Sequence, residues 1–133
     1  MGNILESKPS ENYYKNALSL AFLGDSVFTL MVRRYLIVNS DCKPNGLNKR
    51  ANAVVCAKSQ ADIMKELKPI LTEDETDVVM RARNSHTNNK AKNSTYEEYS
   101  LATQFEALVG YWYLNNEEKK LNEMFEKYVV GRL

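Results

Sequence analysis

The chain has 133 residues, 18 of them Lys or Arg and 17 Asp or Glu, for a formal net charge of +1. That length suits one compact domain, and 44% hydrophobic with 26% charged residues is a globular mixture that excludes wholesale disorder. Near-neutral charge gives no electrostatic argument for a nucleic-acid partner, which only local clustering of cations could supply. The two cysteines, Cys42 and Cys56, are too far apart for a CxxC pair, and with His86 as the single histidine no Cys/His zinc set can form. Free thiols, the lack of an apolar run near 20 residues and the lack of a signal-peptide profile lead us to expect a soluble cytoplasmic protein with no membrane partner.

In chain order, residues 1–10 are polar and read as a loose N-terminal segment. The pattern is helical from there, so 11–133 reads as one domain. "NALSLAFLGDSVFTLMVRRYL" is apolar almost all round, as expected of a central core helix. "KPNG" (43–46) reads as a turn, and 47–67 as one long helix that Pro69 ends. Thr72 and Glu75 form a capping box that starts a helix running to about Asn84. The asparagine-rich stretch 84–95 reads as a polar loop. Thr95 and Glu98 form a second possible capping box, ahead of the apolar helix "YSLATQFEALVGYWYL" (99–114). A last amphipathic helix turns Leu121, Met124, Phe125 and Tyr128 inward, with Gly131 as its stop. No segment shows strand alternation, so the fold class is all-α.

Asp25 and Glu106 stand out. Each lies in one of the two most apolar helices, with no Lys or Arg one turn away and a small residue (Gly24, Ala107) beside it. Burying an unpaired carboxylate costs several kcal/mol. Two readings remain open from the residues alone. Either each acid is hydrogen-bonded within the core, or the two share a hard divalent cation such as Mg²⁺.

The motifs add a further expectation. "LAFLGDSVF" resembles the signature of the ribonuclease III catalytic domain, and "ATQFEALVGYWYL" resembles that family's second acidic helix. The intervening "KPNGLNKRANAVVCAKSQADIM" and "VVMRARNSHTNNK" resemble its short branch, mini-ribonuclease III, which lacks an appended double-stranded-RNA-binding domain. The resemblance implies an all-α helical bundle forming a symmetric homodimer. It also implies a Mg²⁺-dependent endoribonuclease, with Mn²⁺ able to substitute, that cuts double-stranded RNA to 5′-phosphate and 3′-hydroxyl ends in the maturation of precursor ribosomal RNA. By that resemblance Asp25 and Glu106 are the metal-binding catalytic pair. Ala21 and Thr103 stand where the longer family members carry two further carboxylates. No organic cofactor is implied.

Candidate RNA contacts are Arg81, Arg83, Asn84, Lys90 and Lys92 around the polar loop, together with Lys49, Arg50, Lys58, Ser59 and Gln60. Clustered cations release phosphate counterions and so supply duplex affinity. His86 reads as exposed rather than as a general base, Tyr99 as a residue near the acids, and Tyr111, Trp112 and Tyr113 as core or dimer-interface groups. A different class of function, a non-catalytic duplex-RNA-binding or ribosome-associated domain on the same fold, would be marked by loss of both acids.

Overall fold

The computed structural model describes residues 2–85 and 95–133. Among the described residues the regular structure is entirely helical. The helices are α1 (Ala17–Asn39), α2 (Pro44–Val55), α3 (Ala57–Leu67), α4 (Glu73–Asn84), α5 (Tyr96–Leu114) and α6 (Glu118–Met124), the last continued by a π-turn over Phe125–Val129. Short 3₁₀ turns at Ile4–Glu6 and Tyr13–Lys15 precede α1. No described helix is long and apolar enough to cross a membrane. Both cysteines are free thiols.

Helix α5 is the hub. It packs against α1, α3, α4 and α6, and ten of its side chains or glycines are buried. The rings of Phe28 on α1 and Phe105 on α5 meet edge to face with centroids 4.9 Å apart, both with no exposed surface. The α1–α5 crossing is closest where a glycine of one helix faces a glycine of the other. A Cβ on Gly24 would strike the Glu106 carbonyl oxygen and lie 2.7 Å from its carbon and 2.8 Å from Gly110 N. A Cβ on Gly110 would strike Leu20 O and lie 3.2 Å from Gly24 N. Glycine is disfavoured inside helices, so its presence at both positions reflects backbone-to-backbone contact.

Two expectations are corrected. "KPNG" is not a free turn: Pro44 opens α2 at the position where its missing N–H costs nothing, and Gly46 lies inside that helix. The single helix expected over 47–67 is two, because Cys56 is extended (φ −72°, ψ 158°). No Gly or Pro marks this elbow. Its freed carbonyls are taken by Gln60, whose Nε2 donates to Val55 O (3.3 Å) and whose backbone N–H donates to Cys56 O (3.1 Å). The bend lets Val54 of α2 and Ile63, Met64 and Leu67 of α3 share one core.

The capping box at α4 is complete, with Glu75 N–H donating to Thr72 Oγ1 (3.2 Å) and Thr72 N–H to Glu75 Oε1 (2.9 Å). The second oxygen of Glu75 does more. It accepts from Trp112 Nε1 (2.8 Å) and from Lys120 Nζ, tying α4 to α5 and to α6 through a carboxylate only 4% exposed. Burial pushes this carboxyl up, but Lys120, the Thr72 amide and Trp112 together outweigh it and hold it below the ordinary range. At α5, Thr95 Oγ1 accepts from Glu98 N–H (3.0 Å). That helix ends in a Schellman arrangement: Asn116 sits at φ 56° while Glu117 N–H donates to Trp112 O and Asn116 N–H to Tyr113 O.

Candidate active site

Asp25 follows Gly24, and Glu106 lies one turn before Gly110, so the glycine crossing sets the two acids side by side. Their carboxylates come within hydrogen-bonding reach of each other. The surroundings differ from the expectation of two acids stranded in the core. Asp25 is exposed and Glu106 is partly buried. The apolar character of α1 all round reflects two apolar sides. One faces the core, and the other leaves Leu18, Phe22, Leu30 and Ile37 exposed on one side of the helix, Phe22 by 83%.

Burial pushes the Glu106 carboxyl up to about 8. Asp25 raises it further by hydrogen bonding and like charge, while a hydrogen bond from Gln60 acts in the opposite direction. Adjacent carboxylates with no cation among them favour retention of a proton by one member. A hard divalent ion relieves the same repulsion, so this oxygen set fits Mg²⁺ or Mn²⁺. The set is thin: among the described residues no group of three or more His, Cys, Asp or Glu side chains gathers anywhere. Ala21 and Thr103, one turn before each acid, are both buried, and Thr103 Oγ1 donates to Tyr99 O (3.0 Å) within its own helix.

The candidate RNA contacts divide. Arg81, Arg83 and Asn84 are exposed in the last turn of α4, where cations also complement the helix dipole. Arg81 pairs with Asp77 (3.0 Å) and lies 6.0 Å above the Tyr14 ring. Lys49 is exposed, and Lys58 is exposed and paired with Asp62 (3.2 Å). Arg50 is partly buried and engaged with Cys42 Sγ and Leu133 O, each at 3.2 Å. Ser59 and Gln60 are 7% and 3% exposed, so neither offers a surface to a duplex. They are buried because the Cys56 elbow turns the start of α3 into the core. Lys90, Lys92 and His86 lie outside the described residues. Trp112 is buried, with Tyr111 and Tyr113 half-buried against the core.

Sequence reasoning placed Gln60 on an RNA face and missed its position against Glu106. It also passed over Gly110, whose place inside an apolar helix was the available sign of a close crossing.

The comparisons with known proteins agree with this geometry. The family model described as "Ribonuclease III domain" matches residues 18–117. A mini-ribonuclease 3 of Brevibacillus brevis is 45% identical over 112 residues, covering 84% of each chain. One from Staphylococcus aureus is 34% identical over 124 residues, covering 90% of this chain and 92% of its own. A crystal structure of a Fusobacterium nucleatum protein superposes with a TM-score of 0.83 at 33% identity, covering 96% of this chain and all of that one. The chain belongs to the ribonuclease III family and is an endoribonuclease of its mini-ribonuclease 3 branch.

Proposed function

We propose that this endoribonuclease cuts double-stranded RNA in a Mg²⁺-dependent reaction, with Mn²⁺ able to substitute, and leaves 5′-phosphate and 3′-hydroxyl ends. Its substrate class is structured precursor ribosomal RNA in the cytoplasm, and residues 11–133 form the catalytic unit. The observation that carries the reading is the glycine crossing that brings Asp25 and Glu106 together. The two carboxylates would hold the ion. When bound, Mg²⁺ supplies Lewis acidity toward the scissile phosphate and an acidified water. Asp25, exposed at the rim, is accessible to an incoming phosphate, and partly buried Glu106 anchors the inner side of the pair. Arg81, Arg83, Asn84, Lys49 and Lys58 would neutralise backbone phosphates of an A-form duplex, which is read through its backbone and 2′-hydroxyls.

A symmetric homodimer completes the proposal. The exposed apolar side of α1, with Leu18, Phe22, Leu30 and Ile37, lies on the helix that carries Asp25. A contiguous apolar patch of this kind marks an interaction surface. Pairing through a two-fold axis would cover the patch in both copies and present two sites to the two strands.

The test is cleavage of a long RNA duplex with Mg²⁺ or with EDTA, using wild type, Asp25→Asn and Glu106→Gln. Cutting by wild type in Mg²⁺ alone is the expected result. Cutting by Asp25→Asn at the wild-type rate would overturn the metal assignment, and tight binding without cutting by wild type would favour a purely binding role.

A further inference from the structure

Gln60 is only 3% exposed, in the first turn of α3 just past the Cys56 elbow. Burying an amide without partners costs about 1–3 kcal/mol, a cost that alanine or leucine at the position would avoid. A primary amide offers two N–H groups from one nitrogen. Here Nε2 donates to Val55 O at 3.3 Å, the carbonyl that the elbow removes from the helical ladder. The same side chain lies within hydrogen-bonding reach of the Glu106 carboxylate. The backbone N–H of Gln60 meanwhile closes the first turn of α3 onto Cys56 O at 3.1 Å. Gln60 is therefore anchored through its backbone and its side chain at the bend, with its donor group at the acid.

The chemistry of this choice is specific. A neutral donor favours the ionised carboxylate, as a cation would, but it does not cancel the charge that a divalent ion needs. Lysine at this place would pair with Glu106 outright and repel the ion. An apolar side chain would leave the carboxylate without a fixed partner on the α3 side and free to change rotamer.

We propose that Gln60 is a positioning residue for catalysis, its buried amide tying the α2–α3 elbow to the Glu106 carboxylate and holding that carboxylate in place beside Asp25 to receive the cation. The inference rests on the reading of Asp25 and Glu106 as metal ligands. It predicts that the elbow, though it touches no substrate, sets metal affinity. It also removes Gln60 from the RNA contacts and gives it a role through Glu106.

The test uses the full chain with Gln60→Met, which keeps the length and loses both N–H donors, and Gln60→Asn, which keeps the amide but is one methylene short of spanning both partners. Mn²⁺ uptake is measured on metal-free protein by titration calorimetry and by loss of free-Mn²⁺ paramagnetic resonance, readouts that need no turnover. In parallel, kcat and KM are measured on an RNA duplex across Mn²⁺ concentrations. Loss of the hydrogen-bonding partner of a metal ligand weakens metal affinity or activity about 10–100-fold. We expect Mn²⁺ affinity and kcat at fixed Mn²⁺ to fall by that factor in Gln60→Met, and by less in Gln60→Asn. KM for the duplex stays unchanged, and saturating Mn²⁺ restores most of kcat. A general packing defect would not be rescued by the ion. Wild-type Mn²⁺ affinity and kcat in a folded Gln60→Met would overturn the proposal, as would a loss confined to KM. Should Gln60→Met fail to fold by circular dichroism, Gln60→Asn decides on the same criteria. If wild type takes up no Mn²⁺ and Asp25→Asn cuts normally, the metal reading itself fails and this proposal falls with it, an outcome distinct from a failure at Gln60 alone.

Discussion

Replacing Glu106 by glutamine keeps the shape of the side chain and removes its ionisation, so it isolates the electrostatic cost of the acid pair. The carboxyl titrates near 4.5 when unperturbed and is pushed up to about 8 in the fold by burial and by Asp25. At about 1.4 kcal/mol per unit, the ionised form costs on the order of 4 kcal/mol in metal-free protein above pH 8. The sign follows from proton counting. Below pH 4.5 both folded and unfolded chains hold the proton, and nothing is lost. Between 4.5 and 8 the folded state binds more protons than the unfolded state, so stability falls as pH rises and the loss is complete above 8. If solvent access at this partly buried site reduces the cost to about 2 kcal/mol, a chain of this length shifts in Tm by roughly 6–10 °C. Thermal unfolding in EDTA at equal protein concentrations should therefore show Glu106→Gln close to wild type at pH 5 and higher by roughly that amount at pH 8.5. Added Mg²⁺ should raise the wild type and close or reverse the gap. A gap that is the same at pH 5 and pH 8.5 would refute the argument, because a packing difference does not titrate.

Gly24→Ala and Gly110→Ala each place a methyl group against backbone atoms of the opposing helix. We expect a loss of about 1–3 kcal/mol for each in denaturant unfolding, with loss of duplex cleavage beyond what stability explains, because separating α1 from α5 separates the acids. Glu75→Ala leaves Trp112 Nε1 and Lys120 without their acceptor and removes one half of the α4 cap. A loss of about 3 kcal/mol by urea titration is expected. Because the folded Glu75 carboxyl lies below its ordinary value, its contribution is present above pH 4.5 and disappears as pH falls through the folded pKa, so the gap between wild type and Glu75→Ala should narrow in acid. Phe22→Asp puts a charge in the middle of the exposed apolar side of α1. Sedimentation should show the variant as a monomer under conditions where wild type is a dimer, and a wild-type monomer would remove the basis for this prediction.

Local patterns carried much of this protein. Helical periodicity and the absence of strand alternation are properties of short windows, and they specified an all-α chain with helix starts at Thr72 and Thr95. The Thr72–Glu75 box could be read because its partners are three residues apart. The isolated position of Asp25 and Glu106 was equally legible, since it depends only on which residues lie one turn away. Other features depend on partners distant in the chain. The elbow at Cys56 has no Gly or Pro to announce it and exists because α3 gains the core face of α5 by leaving the line of α2. Glu75 read as a cap, yet its second oxygen joins Trp112 and Lys120, a contact that no local pattern encodes.

The pair of acids divides along the same line. Sequence alone determined that Asp25 and Glu106 lacked local counter-charges and that a glycine stood beside Asp25. Tertiary structure decided that Gly24 and Gly110 face each other, so that two helices far apart in the chain touch backbone to backbone and their acids meet. It also decided that Asp25 is exposed rather than buried, because the apolar pattern of α1 serves two faces, and periodicity cannot tell a face covered by the core from one left open to a partner.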